Sequence, residues 1–345
     1  MQKYGILFSL KTKGKYIMWL IVKQIIALIV SLFLTVFPNS EFLKSFDALE
    51  LATQREDCLL NASIVSDVHI DVEWPIGEWI WANGLNDIER SVDTVDALIV
   101  SGDLTNYGDG PSMESFFRIM ADSDGAENWV TAMGNHDVGH VEDTTQEGAR
   151  QRFVDLYNEL NPSGQQIDKA YYKMDINGYR FVVLVDDGED TWDHPDMAEE
   201  QYQFLDDSLA EAAERGLPMF VVCHVPVEGV NGQDKIWEDG GLGDCSDRVQ
   251  SILEKYENVF FISGHVHTGI NGPLVEEAFG FSCVETINGV NYINLPTYMI
   301  VNRYGVPWGG MGFQMEVYED EVLFRARNFG SSKWYPVYDH SVPLV

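Results

Sequence analysis

The chain has 345 residues, 45% of them apolar and 12% aromatic, enough to bury a large core as one sizeable or two ordinary domains, so global disorder is excluded. Its formal charge of −33 is unevenly spread: residues 1–40 hold five lysines and no acid, leaving 17 of the 22 basic residues against all 55 acidic ones, a net of −38 for the remainder. Such a field argues against nucleic acid and other polyanions as partners of the surface at large, while a small phosphorylated substrate remains compatible if cations draw it in locally.

Residues 1–16 are a basic segment, with Lys3, Lys11, Lys13 and Lys15 ahead of the apolar run IMWLIVKQIIALIVSLFLTVF at 17–37. A membrane-spanning helix needs about 20 residues, which 17–37 supplies if Lys23 is tolerated near the cytoplasmic side. A signal peptide needs a charged start and about 7–15 apolar residues, which Lys23 and the run 25–37 supply equally well, with Met18 as an alternative start. No A-x-A cleavage site follows Phe37, which favours an uncleaved signal anchor. Under either reading the lysines stay inside and the acidic body lies outside, membrane-anchored or secreted. A buried core helix is disfavoured because the run has no polar face.

A linker is expected over 38–58 and a single globular domain over 59–330, followed by a C-terminal tail at 331–345. From Leu59, β-rich runs alternate with amphipathic stretches: NASIVS at 61–66, then Leu85, Ile88, Val92 and Val95 at helical spacing, then ALIVS at 97–101. The alternation continues through a helix carrying Met113, Phe116, Phe117 and Met120, the strand NWVTAM at 128–133, and a helical face of Phe153, Leu156, Tyr157 and Leu160. Asn177 and Gly178 predict a hairpin turn within 170–185. A helix is expected over 196–215, opened by an Asp196/Glu199 capping box and stopped by Gly216. MFVVC at 219–223, a helix with Val249, Ile252, Leu253 and Tyr256, and NVFFIS at 258–263 follow, and the rest reads as strands at 281–286, at 290–295 across a second Asn-Gly pair, at 313–318 and at 321–328.

Ligand-type residues recur directly after the β-runs: Asp67 and His69 in SDVH, Asp103 in SGD, Asn135 and His136 in GNHD, His224 in CHVP, and His265 and His267 in GHVH. Carboxyl ends of strands gather at one edge of an open α/β sheet, so residues 200 positions apart can share a cleft. Glycines beside them let the backbone turn tightly. The mixed nitrogen and oxygen donor set suits Mn, Fe or Zn, and it is too large for one tetrahedral ion but fits two ions sharing a carboxylate. The four cysteines form no CxxC pair or zinc-ribbon spacing; Cys223 reads as an inert core thiol, and one disulfide among Cys58, Cys245 and Cys283 stays open.

The ordered series D-x-H, G-D, G-N-H-D, H, G-H-x-H resembles the calcineurin-like metallophosphoesterase superfamily over Leu59 to about Thr268, with every ligand position filled. The resemblance implies an α/β fold, a four-layer αββα sandwich of two mixed β-sheets flanked by helices, with a dinuclear metal site at the strand C-terminal ends. It implies Asp67, His69 and His267 at a first ion, Asp103 bridging, and Asn135, His224 and His265 at a second. It further implies a phosphodiesterase or phosphomonoesterase in which hydroxide held between the ions attacks phosphorus in line, His136 protonates or stabilises the leaving oxygen, and Asp137 orients His136. The rival expectations are a non-catalytic binding or scaffold protein of the same fold, which should lack some of these residues, and a single-metal protein.

Other residues carry weaker expectations. His140 and His194 read as surface-loop histidines, His340 has no visible partner, and Arg303 reads as a surface cation. Trp74, Trp79 and Trp81 follow the first ligands and suit an aromatic wall for a base, sugar or acyl chain, though core packing of a long loop is preferred. The acidic helix 196–215 lacks the D-x-D-x-D-G spacing of a calcium loop and reads as a solvated face.

Overall fold

The first hydrophobic run after the linker, β2 (Leu60–Val65), is buried along its whole length and pairs in parallel with β3 (Val95–Ser101), which pairs in parallel with β4 (Ala126–Ala132). In this computed structural model the described residues are 46–47, 53–90, 95–138, 144–187, 195–270, 280–299 and 309–345. On the other side of β2 lie β11 (Met311–Val317), β12 (Glu321–Asn328) and β13 (Lys333–Trp334), all antiparallel, and then β1 (Phe46–Asp47); β14 (His340–Pro343) also pairs with β12. Residues 331–345 are thus built into the first, eight-stranded sheet, and β1 from the 38–58 segment joins its edge.

The second sheet has six strands in the order β5 (Tyr172–Ile176), β6 (Tyr179–Val183), β7 (Met219–Val222), β8 (Val259–Ser263), β10 (Val290–Asn294) and β9 (Val284–Ile287). Its four inner strands run parallel and its two edges antiparallel. Both edge hairpins turn on Asn-Gly pairs, Asn177 and Gly178 at φ 51° and 88°, and Asn288 and Gly289 at φ 51° and 84°, as a two-residue hairpin turn with right-handed strand twist requires.

Period-two alternation divides the core. Phe181, Phe220, Phe260 and Ile262 belong to the larger cluster shared with Ile64, Phe313 and Phe324 of the first sheet, and the Phe260 and Phe324 rings lie 6.2 Å apart. Val182, Val221, Phe261 and Tyr292 point the other way, into a cluster under α5 (Glu199–Ala213) and α7 (Ser246–Leu253). On the first sheet, α1 (Ile76–Glu89), α2 (Gly110–Ala121) and α4 (Gln146–Leu160) bury Trp81, Phe116, Phe117 and Phe153. The result is four layers, helix, sheet, sheet, helix, as the family resemblance implies. Two short helices, α3 (Asn135–Val138) and α6 (Gln233–Ile236), lie in connecting loops.

Local expectations fare unevenly. Asp109 caps α2 by accepting from Ser112 N at 3.0 Å, and Thr145 caps α4 through Gly148 N at 3.1 Å. The Asp196/Glu199 capping box does not form: Ala198 occupies the cap position, and Asp187 from the preceding loop accepts its backbone N–H at 2.8 Å instead. Val95, placed on a helical face by its spacing, opens β3, because parallel pairing with β4 uses its backbone. All four cysteines are free. Among the described residues no helix is long and apolar enough to cross a membrane, and the run 17–37 with its expected anchor or signal lies outside them.

Candidate metal centre

Because β2, β3 and β4 run parallel in one sheet and β7 and β8 in the other, five strand ends converge. Backbone and side-chain hydrogen bonds stitch these ends together. Asp67 N donates to Gly102 O at 3.0 Å, His69 N to Asp103 O at 2.9 Å, and Gly264 N to His224 O at 2.8 Å. The Ser101 hydroxyl reaches across to the carbonyls of Cys223 and Ile262 in the other sheet, each at 3.3 Å, and Ser66 donates to Ser101 O at 2.8 Å.

The backbone here is unusual. Asp67, His69, Asp103, His265 and His267 all take left-handed φ between 49° and 72°, a region that costs non-glycine residues about 1–3 kcal/mol and persists where surrounding structure enforces it. The neighbouring glycines matter for space more than for dihedral freedom. Only Gly102 of the three motif glycines has a positive φ, at 85°. A Cβ on Gly134 would lie 2.1 Å from Asp103 Oδ1, and one on Gly264 1.9 Å from Ser66 Oγ and 2.6 Å from Asp67 Oδ2.

Two donor groups result: Asp67, His69, Asp103 and His267, and Asp103, His224 and His265, with the ligand atoms of each group within 4.8 Å of one another and Asp103 common to both. His224 Nε2 lies 3.1 Å from Asp103 Oδ2, His69 Nε2 3.4 Å from the same oxygen, and His267 Nε2 3.1 Å from Asp67 Oδ1. His69 and His267 face each other Nε2 to Nε2 at 3.0 Å. Although close, Asp103 Oδ2 and His224 Nε2 make no hydrogen bond, and neither does the buried Asn135 Oδ1. Buried polar atoms left in this way cost free energy, and lone pairs converging without hydrogen-bond alignment are what a set of cation ligands presents. The residues therefore fit divalent cations. His69 Nδ1, also without a hydrogen bond, has no such account.

The electrostatics agree. Burial would raise the Asp67 carboxyl, but the rings of His267 and His224 bring it down to about 2. Asp103 is likewise held well below the usual range by His224 and His136 against the effect of burial. Burial pushes His69 down to about 3, whereas for His224 the carboxylates of Asp103 and Asp67 overcome burial and raise the ring to about 9. The pocket holds two buried carboxylates ionised and favours positive charge between them.

His136 sits at the mouth, its side chain 24% exposed, with Nε2 4.0 Å from Asp103 Oδ2 and Nδ1 2.8 Å from the carbonyl of Asn106. Asp137 does not serve as its expected orienting partner. Its carboxylate is fully buried and accepts from Leu104 N, Thr105 N, Thr105 Oγ1 and Gly134 N at 2.8–3.0 Å, tying the GNHD loop to the SGD loop. Burial, reinforced by Asp103, raises its pKa to about 6 against those donors.

The tryptophans divide. Trp81 is core, stacked on Phe116 at 5.4 Å, whereas Trp74 and Trp79 are 71% and 66% exposed. Trp237 stacks on His265 with ring centroids 4.7 Å apart, and no spacing or motif in the sequence marks it. His340 lies on β14, beside the Phe313 ring. His140, His194 and Arg303 fall outside the described residues.

A family model for calcineurin-like phosphoesterases matches residues 63–269. No curated protein sequence matches significantly. Among solved structures, a dimetal phosphatase from Danio rerio covers 84% of this chain and 100% of its own, at 14% identity and TM-score 0.57. A conserved uncharacterized protein and predicted phosphoesterase from Streptococcus pneumoniae covers 82% and 97% at 12% identity and TM-score 0.35. A cold-active protein-tyrosine phosphatase from Shewanella covers 86% and 84% at 14% identity and TM-score 0.31. At these identities the first likeness is one of fold.

Proposed function

We propose, for a chain that belongs to the calcineurin-like phosphoesterase family and is a metal-dependent hydrolase of phosphoric esters, that hydrolysis runs at a two-cation centre built on Asp103. The supporting observation is that Asp103 alone belongs to both donor groups. Asp67, His69 and His267 hold one divalent ion with it, and Asn135, His224 and His265 the other, with Mn, Fe or Zn suited to the donors. When bound, such a pair supplies an activated water at neutral pH and neutralises charge on the phosphoryl oxygens. His136 serves the leaving oxygen. The carbonyl of Asn106 can only accept, so Nδ1 carries the hydrogen and Nε2 is the atom that exchanges a proton with substrate. Asp137 acts indirectly, by fixing the loop from which Asn135 and His136 project. The substrate is a small phosphoester, monoester or diester. Elemental analysis of the purified chain, with a panel of phosphate esters assayed in Mn²⁺, tests the reading: two ions per chain and ester cleavage are expected, and a single ion with full activity overturns the bridging role.

The acidic body is proposed to work outside the cytoplasm, anchored through 17–37 or released by cleavage, because lysines precede that run and acids follow it. Protease shaving of intact cells should digest the domain, and a protected, freely soluble full-length chain overturns the proposal.

A further inference from the structure

Beside the cation ligands lies a second feature that phosphoryl chemistry does not require. A cavity of about 270 Å³ opens against His69 and Asn106, and its walls are mainly Val68, Trp74, Ile76, Ile80, Tyr298 and Met299. It belongs to the same edge as the cluster. Tyr298 N and Met299 N donate to Ser66 O and Asp67 O at 2.8 and 3.1 Å, and Asn106 N donates to Ile70 O at 2.9 Å. The segment beside it is apolar on a strongly acidic protein: Trp74 and Ile76, which line the cavity, and Val72 and Trp79, which do not, are four of the eight exposed large apolar residues among those described. An exposed apolar cluster of this kind marks a binding surface more often than chance. Among the described residues no lysine or arginine lines the cavity, and Asp71 does, so a second phosphate or another anionic group is disfavoured there. The volume falls below the roughly 300 Å³ at which pockets for drug-sized ligands begin, leaving room for a ring or short chain and not a whole substrate.

Which part of the substrate enters follows from the shared wall. Asn106 lines the cavity and its carbonyl holds the His136 ring, while the His69 and His136 rings lie 4.6 Å apart. The cavity is therefore on the side where the leaving oxygen is protonated. We infer that it receives the apolar part of the leaving alcohol, an aryl or alkyl group, so that esters of apolar alcohols are the preferred substrates; this rests on the reading of the adjoining cluster as the reacting centre.

The Mn²⁺-loaded full-length protein is assayed on methyl, butyl, hexyl and phenethyl phosphates, with calorimetric binding of methyl- and hexylphosphonate alongside. Each buried methylene should raise kcat/KM about fourfold, so burial of about three to four of the methylenes that hexyl adds to methyl gives a hexyl-to-methyl ratio of about 10². Trp74→Ala and Ile76→Asn, both at exposed positions, should each cut that ratio about tenfold, and Trp79→Ala, outside the cavity, should leave it unchanged. A flat series with equal phosphonate affinities overturns the cavity while the cation centre stands. Failure to cleave any ester, with hexylphosphonate still bound about 100-fold tighter than methylphosphonate, supports the cavity and overturns the reading of the centre. Equal losses in Trp74→Ala and Trp79→Ala, with both variants sedimenting less than the wild type on phosphatidylcholine vesicles, would mean that these tryptophans face lipid and would overturn the proposal.

Discussion

Asn177 and His69 hold almost the same backbone angle, φ 51° and 52°, in two very different settings. Asn177 heads a two-residue turn with Gly178 between paired strands, where its short polar side chain tolerates the left-handed conformation and the turn itself demands it. His69 has no such local reason. Its N–H is committed to Asp103 O and its ring to the convergence with His267 and Asp103, so the angle is imposed from elsewhere in the fold. The same holds for Asp67, Asp103, His265 and His267. In the hairpins geometry serves folding, and at the strand ends folding sustains a geometry that serves the ligands.

The comparison can be broken most sharply at Asp103. Asparagine accepts a left-handed φ, so Asp103→Asn removes charge while sparing the backbone. Turnover should fall at least about 10⁴-fold with loss of bound metal, since both cation positions lose a ligand and each contributes several kcal/mol. Full activity with normal metal content by elemental analysis would dissolve the shared-ligand arrangement. His136→Ala, at the mouth, should keep its metals and lose about 10²–10⁴-fold on alkyl esters but less on nitrophenyl esters, whose leaving group needs little protonation. Equal losses on both would assign the ring to charge stabilisation.

Glycines separate crowding from dihedral freedom. Gly264→Ala would drive a Cβ into Ser66 Oγ and Asp67 Oδ2 and should cost about 1–3 kcal/mol together with a measurable drop in metal affinity. Gly289→Ala, at φ 84° with open space around it, should cost about 1–2 kcal/mol in urea unfolding and leave metal affinity unchanged. Matching metal affinities in the two variants would remove the distinction.

Carboxylates offer the smallest contrast. Asp67 and Asp175 are both brought down to about 2 against the effect of burial, Asp67 by histidine rings and Asp175 by the guanidinium groups of Arg215 and Arg180. Asp175 is partly exposed, so its stabilisation is modest and salt-screened. With a folded pKa below the unfolded value of 3.8, the contribution is complete above that pH and is lost as pH falls through about 2. The difference in urea midpoint between wild type and Asp175→Asn should accordingly narrow over that interval.

What could be read from the chain alone follows the same division. The β-α-β alternation and both Asn-Gly turns depend on neighbouring residues, so periodicity and turn chemistry reveal them. The ordered ligand motifs are legible because each sits at the end of its own apolar run. The expectation that Asp137 orients His136 came with the family resemblance, whereas the first turn of α3 sends its carboxylate to Leu104 and Thr105. Trp237 on His265 and Asp187 at the start of α5 are tertiary partners with no local signature. Spacing likewise could not separate Trp81, on the buried face of α1, from Trp74 and Trp79.

The position of β11 has a consequence for how the molecule comes into being. Residues 311–317 form the strand beside β2, which itself spans 60–65 and leads directly into Asp67 and His69. On a ribosome the first ligands would emerge long before the strand that flanks them. Synthesis must then run past residue 317 before the earliest motif can be held in place, so loading with cations waits for that strand, and chains ending at residue 310 should lose the ligands at 67 and 69 despite retaining every residue of the centre.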